Sequence, residues 1–137
     1  MKLDAISVTS TDLEKSVKFY SLLGFVFPQF EKDEKHIEPQ TKAGEVRLMI
    51  DTADLIENIT GSKPIPPNHS SFAVLCEMPS KVDEVTKKIK AEGFTVIKEP
   101  WDAFWGQRYA IVQDPDGYMI DLFAQLEKSP SEEMKFS

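Results

Sequence analysis

Hydrophobic and polar positions alternate in short segments along the chain, and three stretches change to the spacing of a helix. The alternating segments predict strands at residues 2–9, 25–30, 36–41, 45–51, 69–77, 94–98, 108–113 and 118–125. The helical spacing predicts helices over residues 12–23, 53–59 and about 80–92. Apart from the short helix at 53–59, the order is strand, helix and three strands, and it then repeats.

Cap and turn residues mark the joints in both halves. Thr11 to Glu14 fits a capping box, in which a hydroxyl and a carboxylate satisfy free backbone donors at a helix start. Ser80 to Asp83 gives a second capping signal, and Gly24-Phe25 and Gly93-Phe94 are matching helix stops. Asp114-Pro115-Asp116-Gly117 predicts a turn between the last two strands. The sequence therefore predicts two βαβββ modules and the α+β class.

The repeat also predicts the domain organisation. We expect a single domain over residues 1–126, with module one at 1–51, a connector at 52–67 and module two at 68–126, followed by a C-terminal tail at 127–137. A chain of 137 residues suits one domain, because a domain of this length buries roughly two-thirds of its unfolded surface. Each module leaves one sheet face open, so a homodimer is also expected.

Composition narrows the function classes. A hydrophobic fraction of 41% and a charged fraction of 28% are ordinary for a soluble globular protein. The net charge of −7 argues against nucleic acid as a partner, because its phosphates require clustered Lys and Arg. No apolar run is long enough to predict a membrane span. The single Cys76, predicted to be buried and inert, and a start without a signal-peptide pattern indicate the cytoplasm.

Three features together resemble one known superfamily. They are the paired modules, the opening Asp12-Leu13-Glu14-Lys15-Ser16-Val17-Lys18-Phe19-Tyr20 with Leu23-Gly24-Phe25, and the closing Trp105-Gly106-Gln107-Arg108 with the predicted turn. This pattern resembles the vicinal oxygen chelate superfamily, which includes glyoxalase I, extradiol dioxygenases, and fosfomycin and bleomycin resistance proteins. The resemblance extends to about Leu126 and implies a glyoxalase/bleomycin resistance-like fold, in which the modules form a cupped mixed sheet.

The resemblance also implies where a metal would bind. Enzymes of the superfamily hold one divalent metal in the cup, with His, Glu or Gln ligands from the first and last strands of each module. The first of these positions falls at Ala5, which has no donor atom. In the second module the positions fall at His69 or Ser71, between which the register stays open, and at Asp121. A catalytic metal needs about three protein ligands, so no resident metal is favoured.

The preferred hypothesis is therefore a protein that binds or sequesters a small, partly apolar metabolite or drug in the cup. Aromatic burial would supply affinity, and Arg47 and Asp121 would orient polar groups. The predicted lining residues are Arg47, Met49, Trp101, Trp105, Met119, Asp121 and Phe123.

Other interpretations stay open. One is a metal-dependent enzyme, similar to a lactoylglutathione lyase or a dioxygenase, that binds Ni, Zn, Mn or Fe through an atypical set of His69, Asp121 and Glu45. Another is a structural or regulatory dimer whose cup is filled by its own side chains. Asp121 has a structural interpretation as an ion-pair partner of Arg47, and the aromatic residues near Trp105 have one as core or dimer contacts.

Overall fold

The computed structural model describes residues 1–65 and 71–127, and it has an α+β architecture with two mixed sheets. Among these residues, unit 1 contains 1–65 and 114–118, and unit 2 contains 71–113 and 119–127. The elements, in chain order, are β1 Ala5–Ser10, α1 Leu13–Leu22, β2 His36–Ile37, β3 Arg47–Thr52, α2 Ala53–Thr60, β4 Ser71–Leu75, α3 Pro79–Ala91, β5 Thr95–Ala103, β6 Gln107–Gln113 and β7 Met119–Gln125.

Unit 1 is built on a three-stranded sheet with the order β1-β3-β2. β1 is parallel to β3, and β2 is antiparallel to it. Side chains alternate between the two faces of a strand, so one face of this sheet is apolar and buried, and the other carries polar residues. The buried apolar residues of unit 1 are Val8, Phe19, Tyr20, Ile37, Leu48 and Ile50.

The Asp114–Gly117 turn belongs to unit 1 and holds a buried carboxylate. Asp114 is 4% exposed and accepts hydrogen bonds from the Tyr20 hydroxyl at 2.7 Å and from the backbone N–H groups of Asp116 and Tyr118 at 2.9 and 3.0 Å. Burial raises the pKa of the Asp114 carboxyl, and burial together with Asp114 raises the pKa of Tyr20 far above its ordinary value. The predicted turn therefore also supplies a polar partner inside the unit 1 core.

Unit 2 is built on a four-stranded sheet with the order β4-β7-β6-β5, in which β4 and β7 are parallel and the other pairs are antiparallel. α3 contacts β5, β6 and β7, so one face of the sheet is covered by a helix. The buried apolar residues of unit 2 are Cys76, Val82, Val85, Ile89, Ala103, Ala110, Val112, Ile120, Leu122 and Ala124. The strand residues that alternate with these buried ones lie on the opposite face of the sheet. Cys76 is buried, as predicted.

The strand predictions were wrong in part. No strand forms over residues 25–30, where Pro28 lacks a backbone donor and one bridging hydrogen bond links the Gln40 N–H to the Val26 carbonyl at 2.8 Å. β2 has only two residues, so unit 1 has three strands instead of four. β5 runs further than predicted, to Ala103, and register shifts accommodate Pro100 between Lys98 and Trp101.

The helices lie where the spacing predicted them, but their starts differ. α1 is capped by Asp12, whose carboxylate accepts from the Lys15 N–H at 3.2 Å, whereas the predicted cap Thr11 donates its hydroxyl to Asp116. α3 starts at Pro79, so Ser80 lies inside its first turn; proline suits this position because its missing N–H would be unpaired there anyway. α2 is confirmed. Within residues 1–65 and 71–127, no helix combines the length and apolar character needed to cross a bilayer.

The single domain over 1–126 stays a prediction. The predicted tail falls outside the described residues from 128 onward, and so does His69.

Candidate functional site

Aromatic side chains converge on Tyr109, on the face of the unit 2 sheet opposite α3. Since Ala110 and Val112 of β6 are buried under α3, alternation places Tyr109 on the other face. In register, Tyr109 lies between Trp101 of β5 and Phe123 of β7. Ring centroids lie 5.4 Å from Tyr109 for Trp101, 5.2 Å for Trp105 and 6.1 Å for Phe123. These four residues, with Asp121, form what we call the Tyr109 cluster.

The turn between β5 and β6 positions Trp105. Gly106 adopts φ 89° there, a left-handed conformation that favours glycine, and its N–H donates to the Ala103 carbonyl at 3.0 Å. The indole N–H of Trp105 donates to Gln107 at 2.8 Å. Trp105 is 48% exposed, and its neighbour Phe104 is 97% exposed. The turn thus presents aromatic surface to solvent instead of burying it.

A hydroxyl–carboxylate pair lies within the cluster. The Tyr109 hydroxyl donates to Oδ2 of Asp121 at 2.5 Å. Burial and this carboxylate raise the pKa of Tyr109 to about 12, so the phenol stays protonated at neutral pH and keeps its role as a donor. Arg47, which the sequence suggested as the partner of Asp121, belongs to unit 1 and pairs there with Asp4 at 2.8 Å and Glu38 at 2.7 Å. Its pairing with Asp121 stays a prediction.

Unit 1 carries its own polar network on the face that bears Arg47. Asp51, 8% exposed, accepts from the Ser7 hydroxyl at 2.8 Å and lies 2.6 Å from Nδ1 of His36. Nε2 of His36 lies 2.8 Å from Glu38, which also pairs with Arg47. Hydrogen bonds to Asp51 and Glu38 raise the pKa of His36, because the protonated ring donates from both nitrogens.

The predicted lining residues are thus divided between the units. Trp101, Trp105, Asp121 and Phe123 meet at Tyr109 in unit 2. Met119 lies on the same face of β7, two residues before Asp121. Arg47 and Met49 belong to β3 of unit 1, where Met49 is in register with Ser7.

Comparison with known proteins decides the family. Residues 2–122 match the sequence profile of the Glyoxalase/Bleomycin resistance protein/Dioxygenase superfamily. The chain belongs to this superfamily. No curated protein sequence matches the chain.

Solved structures agree with the superfamily fold. A glyoxalase-related enzyme from Fulvimarina pelagi is 18% identical with a TM-score of 0.78, over 90% of this chain and 88% of its own. A glyoxalase/bleomycin resistance protein/dioxygenase from Nocardioides is 25% identical with a TM-score of 0.69, over 94% and 86%. The lactoylglutathione lyase from Agrobacterium tumefaciens is 16% identical with a TM-score of 0.64, over 90% and 92%. The glyoxalase/bleomycin resistance-like fold predicted from the sequence is therefore confirmed.

Superfamily members often bind a divalent metal, and such a site needs about three protein ligands that converge on one point. In β1, Ala5 offers no donor and is in register with Arg47, a cation. The carboxylates of Asp51 and Glu38 face opposite nitrogens of the His36 ring, so these three groups do not converge on one point.

The donors of unit 2 do not complete a metal site either. Asp121 is hydrogen-bonded to Tyr109, and the alternative ligand Ser71 is exposed in β4. Glu45, from unit 1, is exposed and lies before β3 begins. Across residues 1–65 and 71–127, no group of three His, Cys, Asp or Glu side chains is placed to hold a metal ion. The described donors therefore do not fit the superfamily's metal.

Sequence reasoning missed Tyr109, which links the cluster together, and His36 and Asp51, which link the unit 1 network. Parity alone would have found Tyr109, because it alternates with Ala110 and Val112 in a strand that was predicted correctly. His36 could not be found in this way, since its hydrogen bond to Asp51 depends on pairing a two-residue strand with β3.

Proposed function

We propose that this superfamily member binds a small, partly apolar organic molecule at the Tyr109 cluster and does so without a resident catalytic metal. The observation that carries the proposal is the convergence of three aromatic rings on Tyr109, with an exposed indole at the rim. Covering about 100 Å² of apolar ring surface contributes roughly 2.5 kcal/mol to binding. Such a surface suits a flat or compact apolar body.

The hydrogen-bonded pair of Tyr109 and Asp121 would make the site selective for ligands with a polar group. One oxygen of Asp121 accepts from Tyr109, which fixes the orientation of the carboxylate. Among the described residues, no hydrogen bond reaches its other oxygen, Oδ1. A ligand that donates a hydrogen bond would therefore find an oriented acceptor beside the rings. Arg47 and Met49 stay predictions as further ligand contacts.

Tryptophan fluorescence tests this proposal directly, because Trp101 and Trp105 are the two tryptophans of the chain. A panel of small aromatic, amine and thiol compounds is first screened by thermal shift, and each hit is then titrated while emission is followed. We expect at least one compound to stabilise the fold and to change the emission. Trp105→Ala should weaken its binding about tenfold, as expected for a lost aromatic contact.

Val46→Ala is the matched control, because Val46 is 47% exposed, like Trp105, but lies in unit 1. Equal loss of affinity in both variants, or no hit in the panel, would contradict the proposed site. Metal analysis of protein purified without chelator tests the other half of the proposal. A stoichiometric divalent metal that disappears in Asp121→Ala would show that the metal-free assignment is wrong.

We also propose a homodimer, supported by large exposed apolar side chains in unit 2, such as Leu75 at 66% and Phe104 at 97% exposure. Sedimentation equilibrium should then give twice the chain mass of 15.5 kDa, and a mass of 15.5 kDa would contradict it. The cytoplasmic location stays a prediction.

A further inference from the structure

We propose that the ligand of the Tyr109 cluster is an organic cation, a quaternary or protonated amine attached to a small apolar body. This inference rests on the proposed function, since it names the ligand class for the same site. It is carried by the angles between the rings, by a lysine that already uses one of them, and by a carboxylate that no described basic side chain neutralises.

The rings of the cluster present their faces in different directions. The planes of Trp101 and Trp105 meet at 89°, those of Trp105 and Tyr109 at 82°, and those of Trp101 and Tyr109 at 63°. The face of an aromatic ring carries negative potential, and tryptophan binds cations best. Rings packed edge to face in this way do not form one flat platform on which a neutral planar ligand could stack over all of them.

A cation of the chain itself already occupies one of these faces. Nζ of Lys98 lies 4.3 Å from the centroid of the Trp101 ring. Lys98 pairs in register with Ile111, which shares the face of Tyr109, so the lysine extends over the cluster side of the sheet. Its side chain is exposed and flexible, so a better-placed ligand cation can displace it at small cost.

The charge balance around the cluster favours the same ligand class. Two basic side chains of unit 2 are already paired with carboxylates other than Asp121, since Lys90 pairs with Glu99 at 2.9 Å and Arg108 with Asp83 at 3.0 Å. Among the described residues, no Lys, Arg or His pairs with Asp121. An anionic ligand would be repelled by this carboxylate, and a cationic one would be attracted.

The test compares choline with its neutral carbon isostere, 3,3-dimethylbutan-1-ol, which has the same shape and hydroxyl. Both are titrated into the full chain at fixed ionic strength, with tryptophan emission as the readout. We expect choline to bind about tenfold more tightly than the isostere, within the range of a partly desolvated cation–π contact. Asp121→Asn should reduce that preference, because it removes the attraction of the carboxylate while keeping the shape of the side chain and the aromatic rings.

Lys98→Met provides a second variant at an exposed position that does not threaten folding. Removing the internal cation should strengthen the binding of choline severalfold more than the binding of the isostere. Lys90→Met is the matched control, because it removes the same charge from unit 2 at a lysine that pairs with Glu99. Lys90→Met should leave the affinities for choline and for the isostere unchanged.

Equal affinity for choline and the isostere would overturn the cation assignment, and so would equal effects of Lys98→Met and Lys90→Met, or no response to either ligand. If both ligands bind equally and Trp105→Ala weakens both, the proposed binding site stands and only the ligand class is rejected.

Discussion

The Tyr109 hydroxyl donates a 2.5 Å hydrogen bond to the Asp121 carboxylate, between neighbouring strands β6 and β7 of unit 2. The two residues are not directly opposite in register, since Tyr109 faces Phe123 and Asp121 faces Ile111. The phenol therefore bridges diagonally across the sheet, and its ring stays between Trp101 and Phe123. This single contact joins the polar and aromatic parts of the candidate site.

The pair predicts an unusual tyrosine titration. Burial and Asp121 hold the pKa of Tyr109 at about 12. Asp121→Asn removes the second cause and leaves burial, so the pKa should fall part of the way toward the ordinary value of about 10. Ultraviolet absorbance of the phenolate against pH measures the change, and Asp102→Asn, whose carboxylate pairs with Arg108, is the control. An unchanged titration in Asp121→Asn would show that the pair does not form.

The buried Tyr20–Asp114 contact predicts a stability effect in unit 1. Tyr20→Phe leaves the Asp114 carboxylate with two backbone donors and without its 2.7 Å hydroxyl partner. Loss of a hydrogen bond to a buried charged group costs about 1.5–3 kcal/mol of unfolding free energy. Urea unfolding of the wild-type protein and of Tyr20→Phe measures this loss of unfolding free energy. Tyr118→Phe removes only a neutral acceptor from the Thr9 N–H and should cost about 1 kcal/mol, so an equal loss in both variants would contradict the special role of Tyr20.

The corrected helix starts predict opposite results at two cap-like positions. Asp12→Ala removes the observed cap of α1 and should cost about 1 kcal/mol. Ser80→Ala lies inside the first turn of α3 and should change stability by less than about 0.5 kcal/mol. Thermal or chemical unfolding of the two variants side by side distinguishes them. Equal destabilisation in the two variants would indicate that Ser80 caps α3 and would contradict the helix start at Pro79.

His36 predicts a pH dependence. Its pKa is raised in the folded state by Asp51 and Glu38, so its stabilising contribution is complete below the unfolded value of about 6.5 and is lost as pH rises through the raised value. Because the side chain is 42% exposed, the contribution should be no more than about 1 kcal/mol. His36→Gln should therefore cost more at pH 6 than at pH 9. A His36 pKa at or below 6.5, measured by NMR titration of the ring, would contradict this prediction.

The sequence allowed much of the fold to be predicted but less of the site. Helix spacing and strand alternation located α1, α2, α3 and most strands, because those elements bury one regular face. The strand predicted at residues 25–30 does not form. Its apolar run resembles a strand, but Pro28 has no backbone N–H to donate to a neighbouring strand. The sequence predicts Trp101 and Trp105 as candidate ligand contacts because they are aromatic residues in a segment between strands. It does not predict Tyr109, because the neighbours of Tyr109 are set by the sheet register, which pairs it with Trp101 and Phe123.

The resonances of the two indole N–H groups give the most direct measurement of binding at the Tyr109 cluster. The chain has two tryptophans and both belong to the cluster, so a ¹⁵N–¹H spectrum should contain two indole signals, assigned with Trp105→Phe. A compound that stabilises the protein should shift both signals in proportion to occupancy, and the shifts should weaken in Tyr109→Ala. A compound that stabilises the protein while both indole signals stay in place would contradict ligand binding at this site.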